Sequence, residues 1–260
     1  MSLHINGPRN PDSRHKEVCA LAVMTKVPRA GEVKTRLTPP LSPQEAAELN
    51  SCFLRDIAAK IERIASGGKA RGIAVYTPVG AEKEFAEILP AEFELVPQRG
   101  VALGERLICA TKDLLALGFG SVCLINSDSP TVPAQSFFQA VHFLSQHEDG
   151  VVLGPSDDGG YYLIGFNKLQ PALFENIPWS TNRVLEQTRA RARENGMLEH
   201  LLPTWYDVDD AANLRRLCGE LFPDNPGEGA SSAPATREYL ANLLQKEGRS
   251  RIWPAGERST

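Results

Sequence analysis

From Val18 onward, short apolar runs alternate with longer segments in which apolar residues recur every three or four positions. That alternation predicts parallel strands joined by crossover helices. Strands are expected at 18–24 (VCALAVM), 72–78 (GIAVYTP), 93–97 (FELVP), 121–126 (SVCLIN), 150–155 (GVVLGP) and 161–166 (YYLIGF). Their near-continuous apolarity suits strands covered on both faces. The strongest helix signal opens at Ser42-Pro43-Gln44-Glu45: Ser42 can cap, Pro43 fits the first helical position, and Glu45 completes a capping box. This helix should run to about Ile64, with Ala46, Leu49, Phe53, Ile57, Ile61 and Ile64 along one face. Further helices are expected near 81–89, 103–117, 133–146, 181–195 and 210–221.

The polar residues 1–17 contain no sustained apolar stretch and read as a disordered tail, with neither a signal peptide nor a membrane span. Residues 18–222 carry the strand-helix alternation and form one domain. The stretch 223–236 (PDNPGEGASSAPAT) has linker composition, and 237–260 is a short amphipathic helix with a tail. At 260 residues and 42% hydrophobic, the chain can build one sizeable core without staples. The five cysteines are scattered, which fits reduced thiols in a cytoplasmic protein. The net charge of −4 argues against nucleic acid as a partner, so any anion site must be local.

One segment inverts that charge. Lys26, Arg29, Lys34 and Arg36 face a single acid, Glu32, giving a net +3 between Thr25 and Leu37. In open α/β sheets the first strand-to-helix loop is a common phosphate site. Gly31 permits close backbone approach, while Lys34 and Arg36 can neutralise a diphosphate. The same cluster also fits a solvated loop. Gly31-Glu32-Val33-Lys34-Thr35 is not a P-loop, because the glycine before the lysine and the one at the motif's start are both missing.

Carboxylates gather at strand ends. SVCLIN runs into Ser127-Asp128-Ser129-Pro130, placing Asp128 where a magnesium ligand belongs, although an Asx turn or helix cap would use the same residue. In Asp207-Val208-Asp209-Asp210, alternation puts Asp207 and Asp209 on one side; either can reach a metal, and Asp209 or Asp210 can cap the following helix. Asp157, Asp158, Gly159, Gly160 and Tyr161 join two strands, and with Trp179, Ser180 and Thr181 they suit a sugar or an acceptor. An ordinary turn explains the Asp-Gly-Gly portion equally well.

Six ordered motifs lie between 25 and 214, within a resemblance that covers roughly 18–218: TKVPRAGEVKTRLTPPLSPQEAAEL, QRGVALGERL, NSDSP, GPSDDGGYYLIGF, PWST and DVDDAANL. With them the chain resembles the DUF2064-type family of bacterial GT-A-like glycosyltransferases. The wider nucleotide-diphospho-sugar transferase superfamily also holds molybdopterin and phospholactate guanylyltransferases. The resemblance implies a three-layer, Rossmann-like GT-A fold with a mostly parallel central sheet. It implies that Lys26, Arg29, Gly31, Lys34 and Arg36 cradle nucleotide phosphates, that Glu105 and Arg106 line the nucleotide side, and that Asp128 holds Mg²⁺ or Mn²⁺. The DVD segment would supply Asp209 as second ligand or active-site acid. Ser129, Ala102 and Asn213 depart from residues usual in the family.

The function expected is a metal-dependent transferase that takes a nucleotide-diphospho-sugar donor and passes the sugar to a small-molecule acceptor. Asp158 or Asp209 would act as catalytic acid or base, and an oligomer is compatible with the sequence. The alternatives are a guanylyltransferase-like enzyme acting on an NTP and a phosphorylated metabolite, and a non-catalytic nucleotide-binding protein.

Overall fold

The computed structural model describes residues 17–223 and 232–252. All but Glu17 of the expected tail, residues 224–231 of the expected linker and residues 253–260 lie outside the described residues.

Seven strands form one sheet: β1 (Cys19–Lys26), β2 (Ala70–Thr77), β3 (Glu94–Pro97), β4 (Ser121–Ile125), β5 (Gly150–Pro155), β6 (Tyr161–Phe166) and β7 (Leu198–Leu201), in the order β3-β2-β1-β4-β6-β5-β7. Neighbours pair in parallel except where β6 meets β4 and β5. The antiparallel β6 has a consequence for position. Its first residue, Tyr161, lies at the carboxyl edge of its neighbours, so the turn before it opens onto the same side as the loops after β1 and β4.

The helices are α1 (Pro43–Ala65), α2 (Glu82–Ala86), α3 (Leu103–Ala116), α4 (Ala134–Gln146), α5 (Val184–Glu194), α6 (Ala211–Leu221) and α7 (Pro234–Glu247). One sheet face packs Leu21, Val23, Tyr76 and Ile125 against α1, α2 and α4. The other packs Ala22, Val75, Leu124 and Ile164 against α3 and α5. Double coverage explains why β4 and β5 are buried at every position and read as unbroken apolar runs. Among the described residues no helix is long and apolar enough to cross a membrane.

The expected capping box of α1 is present. Glu45 N donates to Ser42 Oγ (3.3 Å) and Ser42 N donates to Glu45 Oε2 (2.8 Å). The single expected apolar face is in fact two. Leu54, Ile57, Ala58 and Ile61 meet the sheet, whereas Ala46, Leu49 and Phe53 meet a third core built from α6, α7 and the loop after β1. Helix α7 begins at Pro234, inside the span read as linker. No residue of its own caps it; Asp56 of α1 accepts from Ala235 N (2.9 Å) and Thr236 N (2.8 Å) instead.

Strand β7 was not expected. Leu-Glu-His-Leu is too short and too exposed to stand out, and pairing with β5 makes it a strand. Helix α5 starts at Val184 rather than 181, because Ser180 adopts a left-handed backbone (φ 63°) that keeps the preceding triplet in a loop.

Candidate active site

The chain leaves β1 toward β2 on one side and later returns to place β4 on the other. At such a reversal the loops beyond the two carboxyl ends diverge and leave a crevice. Here the loop after β1 brings Lys26 to Arg36, and the loop after β4 brings Asn126 to Ser129, to opposite walls of one cleft.

The first part of the cleft is charged. Lys34 holds a left-handed backbone (φ 48°, ψ 36°), uncommon outside glycine, asparagine and aspartate. That turn sends its side chain inward, where it is 5% exposed and its ammonium bonds Asp128 Oδ1 and, at 3.0 Å, Asp209 Oδ1. The ammonium also lies 5.5 Å from the centre of the Phe53 ring. Burial pulls the Lys34 pKa down, but the paired charges of Asp128 and Asp209 outweigh it and hold the group above its ordinary value. Arg36 Nη2 donates to Asp209 Oδ2 at 2.8 Å from a largely exposed position. Together with Lys26, Asn50 and Ser127 these residues line a cavity of about 310 Å³.

Two carboxylates reaching one ammonium are close enough to share a cation. Two carboxylates plus phosphate oxygens and water form the donor set that magnesium prefers. Among the described residues no group of three or more His, Cys, Asp or Glu side chains could hold a metal by itself, so a cation between Asp128 and Asp209 would need further oxygens from water or a ligand.

Beneath this pair lies Asp207. It accepts from Asn126 Nδ2 (2.7 Å), Ser156 Oγ (2.9 Å) and Ser129 Oγ. Burial raises its pKa, with Asp128 adding to the rise and the hydrogen bonds opposing it. Val208 N donates to Asp128 O at 2.9 Å, tying the 207–209 segment to the end of β4. Of the acids at 207–210, Asp210 alone serves as a helix cap, accepting from Asn213 N at 2.9 Å, which leaves Asp209 to the cleft.

Arg36 and Asp209 also border a second, less polar lobe of about 500 Å³. Its walls are Met24, Leu103, Leu107, Tyr161 and Trp179, with Asn126, Asp158, Gly160, Ser180, Thr181 and Asn182 at polar points. Asp158 Oδ1 accepts from Gly160 N (2.8 Å), so the carboxylate is held in an Asx turn at the rim. A side chain at Gly104 would come within 2.8 Å of Trp179 Nε1; glycine there lets the indole settle on the first turn of α3.

The expected site residues therefore divide. Lys26, Lys34, Arg36, Asp128 and Asp209 meet in the charged lobe, and Asp158, Gly160, Tyr161, Trp179, Ser180 and Thr181 line the apolar one. Arg29, Gly31, Glu105, Arg106, Asp157 and Gly159 line neither. Arg29 forms a two-point pair with Glu84 of α2 (2.6 and 3.0 Å), and Gly31 shapes the loop at φ 76°. Glu105 folds back to accept from Val101 N (2.8 Å), and Arg106 Nε donates to Gly100 O (3.3 Å). Asp157 pairs with Arg216. Gly159 supports the lobe from behind, since any side chain there would strike the Asn182 backbone. Leu103 and Leu107, which flank Glu105 and Arg106 in sequence, are the α3 residues that reach the cleft. Their spacing of four on one helix face was the available signal. Asn126 opens the NSDSP motif yet did not stand out, because its partner Asp207 is 81 residues away.

Residues 60–181 match the family model described as "Uncharacterized protein conserved in bacteria (DUF2064)". No curated protein matches the chain. Among solved structures, a protein of Desulfovibrio desulfuricans G20, provisionally named a nucleotide-diphospho-sugar transferase, is 28% identical with a TM-score of 0.76. The match covers 89% of this chain and 98% of that one. Rv0371c of Mycobacterium tuberculosis H37Rv is 15% identical (TM-score 0.47, covering 76% of this chain and 96% of that one). A cytidylyltransferase of Leptospira borgpetersenii is 12% identical (TM-score 0.48, 94% and 100%). The fold is thus of the nucleotide-diphospho-sugar transferase, GT-A-like kind, with a mostly parallel sheet between helical layers.

Proposed function

We propose that this chain, whose residues 60–181 belong to the DUF2064 family, is a metal-dependent transferase that moves a sugar from a nucleotide-diphospho-sugar to a small acceptor. One observation carries the reading: Lys34 and Arg36 from the first loop meet Asp128 from the loop after β4 and Asp209 from the loop before α6, beside a roomy lobe walled by Trp179. The provisional name of the 28% identical relative supports the same class of donor.

On this reading Lys34 and Arg36 hold the diphosphate, and Asp128 and Asp209 would hold Mg²⁺ or Mn²⁺, which supplies positive charge against the leaving group. Asp209, already engaged by two cations, serves charge placement. Asp158 is the better-placed base at the rim of the apolar lobe. An acceptor hydroxyl attacks the anomeric carbon, the bond from that carbon to the diphosphate breaks, and the hydroxyl proton passes to Asp158. The two cations of the first loop meet the charge that grows on the departing nucleoside diphosphate, a preorganised electrostatic contribution.

The test is incubation of the purified chain and Mn²⁺ with nucleotide-sugars and, separately, nucleoside triphosphates. Release of nucleoside diphosphate from a sugar donor is expected. Inorganic pyrophosphate from a triphosphate, with no sugar donor consumed, overturns the reading in favour of nucleotidyl transfer.

A further inference from the structure

The apolar lobe differs in charge from the lobe it adjoins. Its charged wall residues are Asp158, Asp207 and Asp209 against one cation, Arg36, and that cation is bonded to Asp209 at 2.8 Å. Three arginines on the flanking segments line neither lobe and have partners of their own. Arg216 is held by Asp157 and stacks on Tyr206 at 3.7 Å, Arg183 lies 3.9 Å from Glu186, and Arg106 donates to a backbone carbonyl. The one cation of the wall, Arg36, is shared between Asp209 and, on the transfer reading, the diphosphate, while Trp179, Leu103, Leu107 and Met24 offer flat apolar surface.

A phosphorylated or carboxylated ligand entering this lobe would meet three carboxylates whose one nearby cation is already paired, a net repulsion that an uncharged or cationic ligand does not meet. Diphosphate binding has its own cations in the neighbouring lobe. We infer that the second substrate is an uncharged or cationic hydroxyl compound with an apolar face, and that Asp158 is the residue that excludes anionic acceptors. The inference rests on the sugar-transfer reading for what the compound does, and not for whether it binds. It separates this protein from enzymes that would couple a nucleotide to a phosphorylated metabolite.

Three probes of one skeleton test it: benzyl alcohol, 4-(aminomethyl)benzyl alcohol and 4-(hydroxymethyl)benzoate. Binding to the full chain, saturated with Mg²⁺ and a nucleoside diphosphate, is measured by ligand-detected NMR titration. The expected order places the amine and the neutral alcohol at least about tenfold tighter than the benzoate. Asp158→Asn keeps an oxygen for Gly160 N, so the turn should survive, and it should shrink the amine-to-benzoate ratio by about tenfold. Benzoate binding as tight as the amine overturns the inference, as does a ratio unmoved in Asp158→Asn or a lobe that takes none of the three. The turnover assay with sugar donors reads separately: its failure would sink the transfer reading while the charge order could still hold.

Discussion

Two lysines in this molecule are almost equally hidden, and they behave in opposite ways. Lys34, in the cleft, faces Asp128 and Asp209 and is held above its ordinary pKa. Lys60, in the last third of α1, is 7% exposed and donates to the Pro130 carbonyl; burial lowers its pKa to about 8, with the charges of Asp56 and Glu220 offsetting only part of the loss. Burial does not by itself make a functional cation. What distinguishes Lys34 is a pair of carboxylates brought to it from 94 and 175 residues away in sequence, one from the loop after β4 and one from the loop before α6.

The comparison can be broken at its strongest point. Asp128→Asn removes one of the charges that sustain Lys34 and half of the acid pair. Nucleoside diphosphate release is expected to fall by a factor of about 100 or more, on the order of 3 kcal/mol. A thermal melt within a few degrees of the parent would show that the loss is chemical; unchanged turnover would remove Asp128 from the mechanism.

Lys60 provides the second test. Its folded pKa, about 8, lies below the unfolded value of 10.5, so between those limits the unfolded chain binds the extra proton. Stability should therefore rise with pH across that window, by about 3 kcal/mol in full from this group. Urea titrations from pH 7.5 to 10.5 should show a shallower rise in Lys60→Met than in the parent; parallel curves would mean that Lys60 titrates normally.

Asp56→Ala links the two regions through α1. It removes the acceptor for the first amides of α7 and should cost about 1–2 kcal/mol by urea unfolding. It also takes away one of the charges that support Lys60, so the pH window of the previous experiment should begin lower. Faster hydrogen exchange confined to α7 would identify the mechanism. The smallest effect is expected for Arg36→Ala: at an exposed position stability should change by less than about 0.5 kcal/mol, while nucleotide binding should weaken and become less sensitive to salt.

Much of this was legible in the chain because the signals are local. A capping box, an aspartate after an apolar strand and an alternating DVD motif each specify their own geometry within a few residues. Asp128 lies where its strand delivers it, and Asp210 takes the cap so that Asp209 need not. What escaped was decided by partners far away. Arg29 belongs to the basic loop by sequence but is drawn off by Glu84, which no local pattern reveals. Glu105 and Arg106 lie on the turn of α3 that folds back on the 100–101 backbone, while Leu103 and Leu107 point inward. Strand β7 exists through its neighbour, and the second apolar flank of α1 is defined by α6 and α7, which lie more than 140 residues further along the chain.

The hydrogen bond from Val208 N to Asp128 O joins the two chain segments that bear the acids by a short covalent path on each side. Asp128 and Asp209 are therefore coupled through main chain, and the fold brings both carboxylates to the Lys34 ammonium. An ion entering there would find its coordination half built, with little ordering left to do. If Asp128 and Asp209 hold an ion as proposed, a substitution that loosens residues 205–208 without touching either carboxylate should weaken its capture.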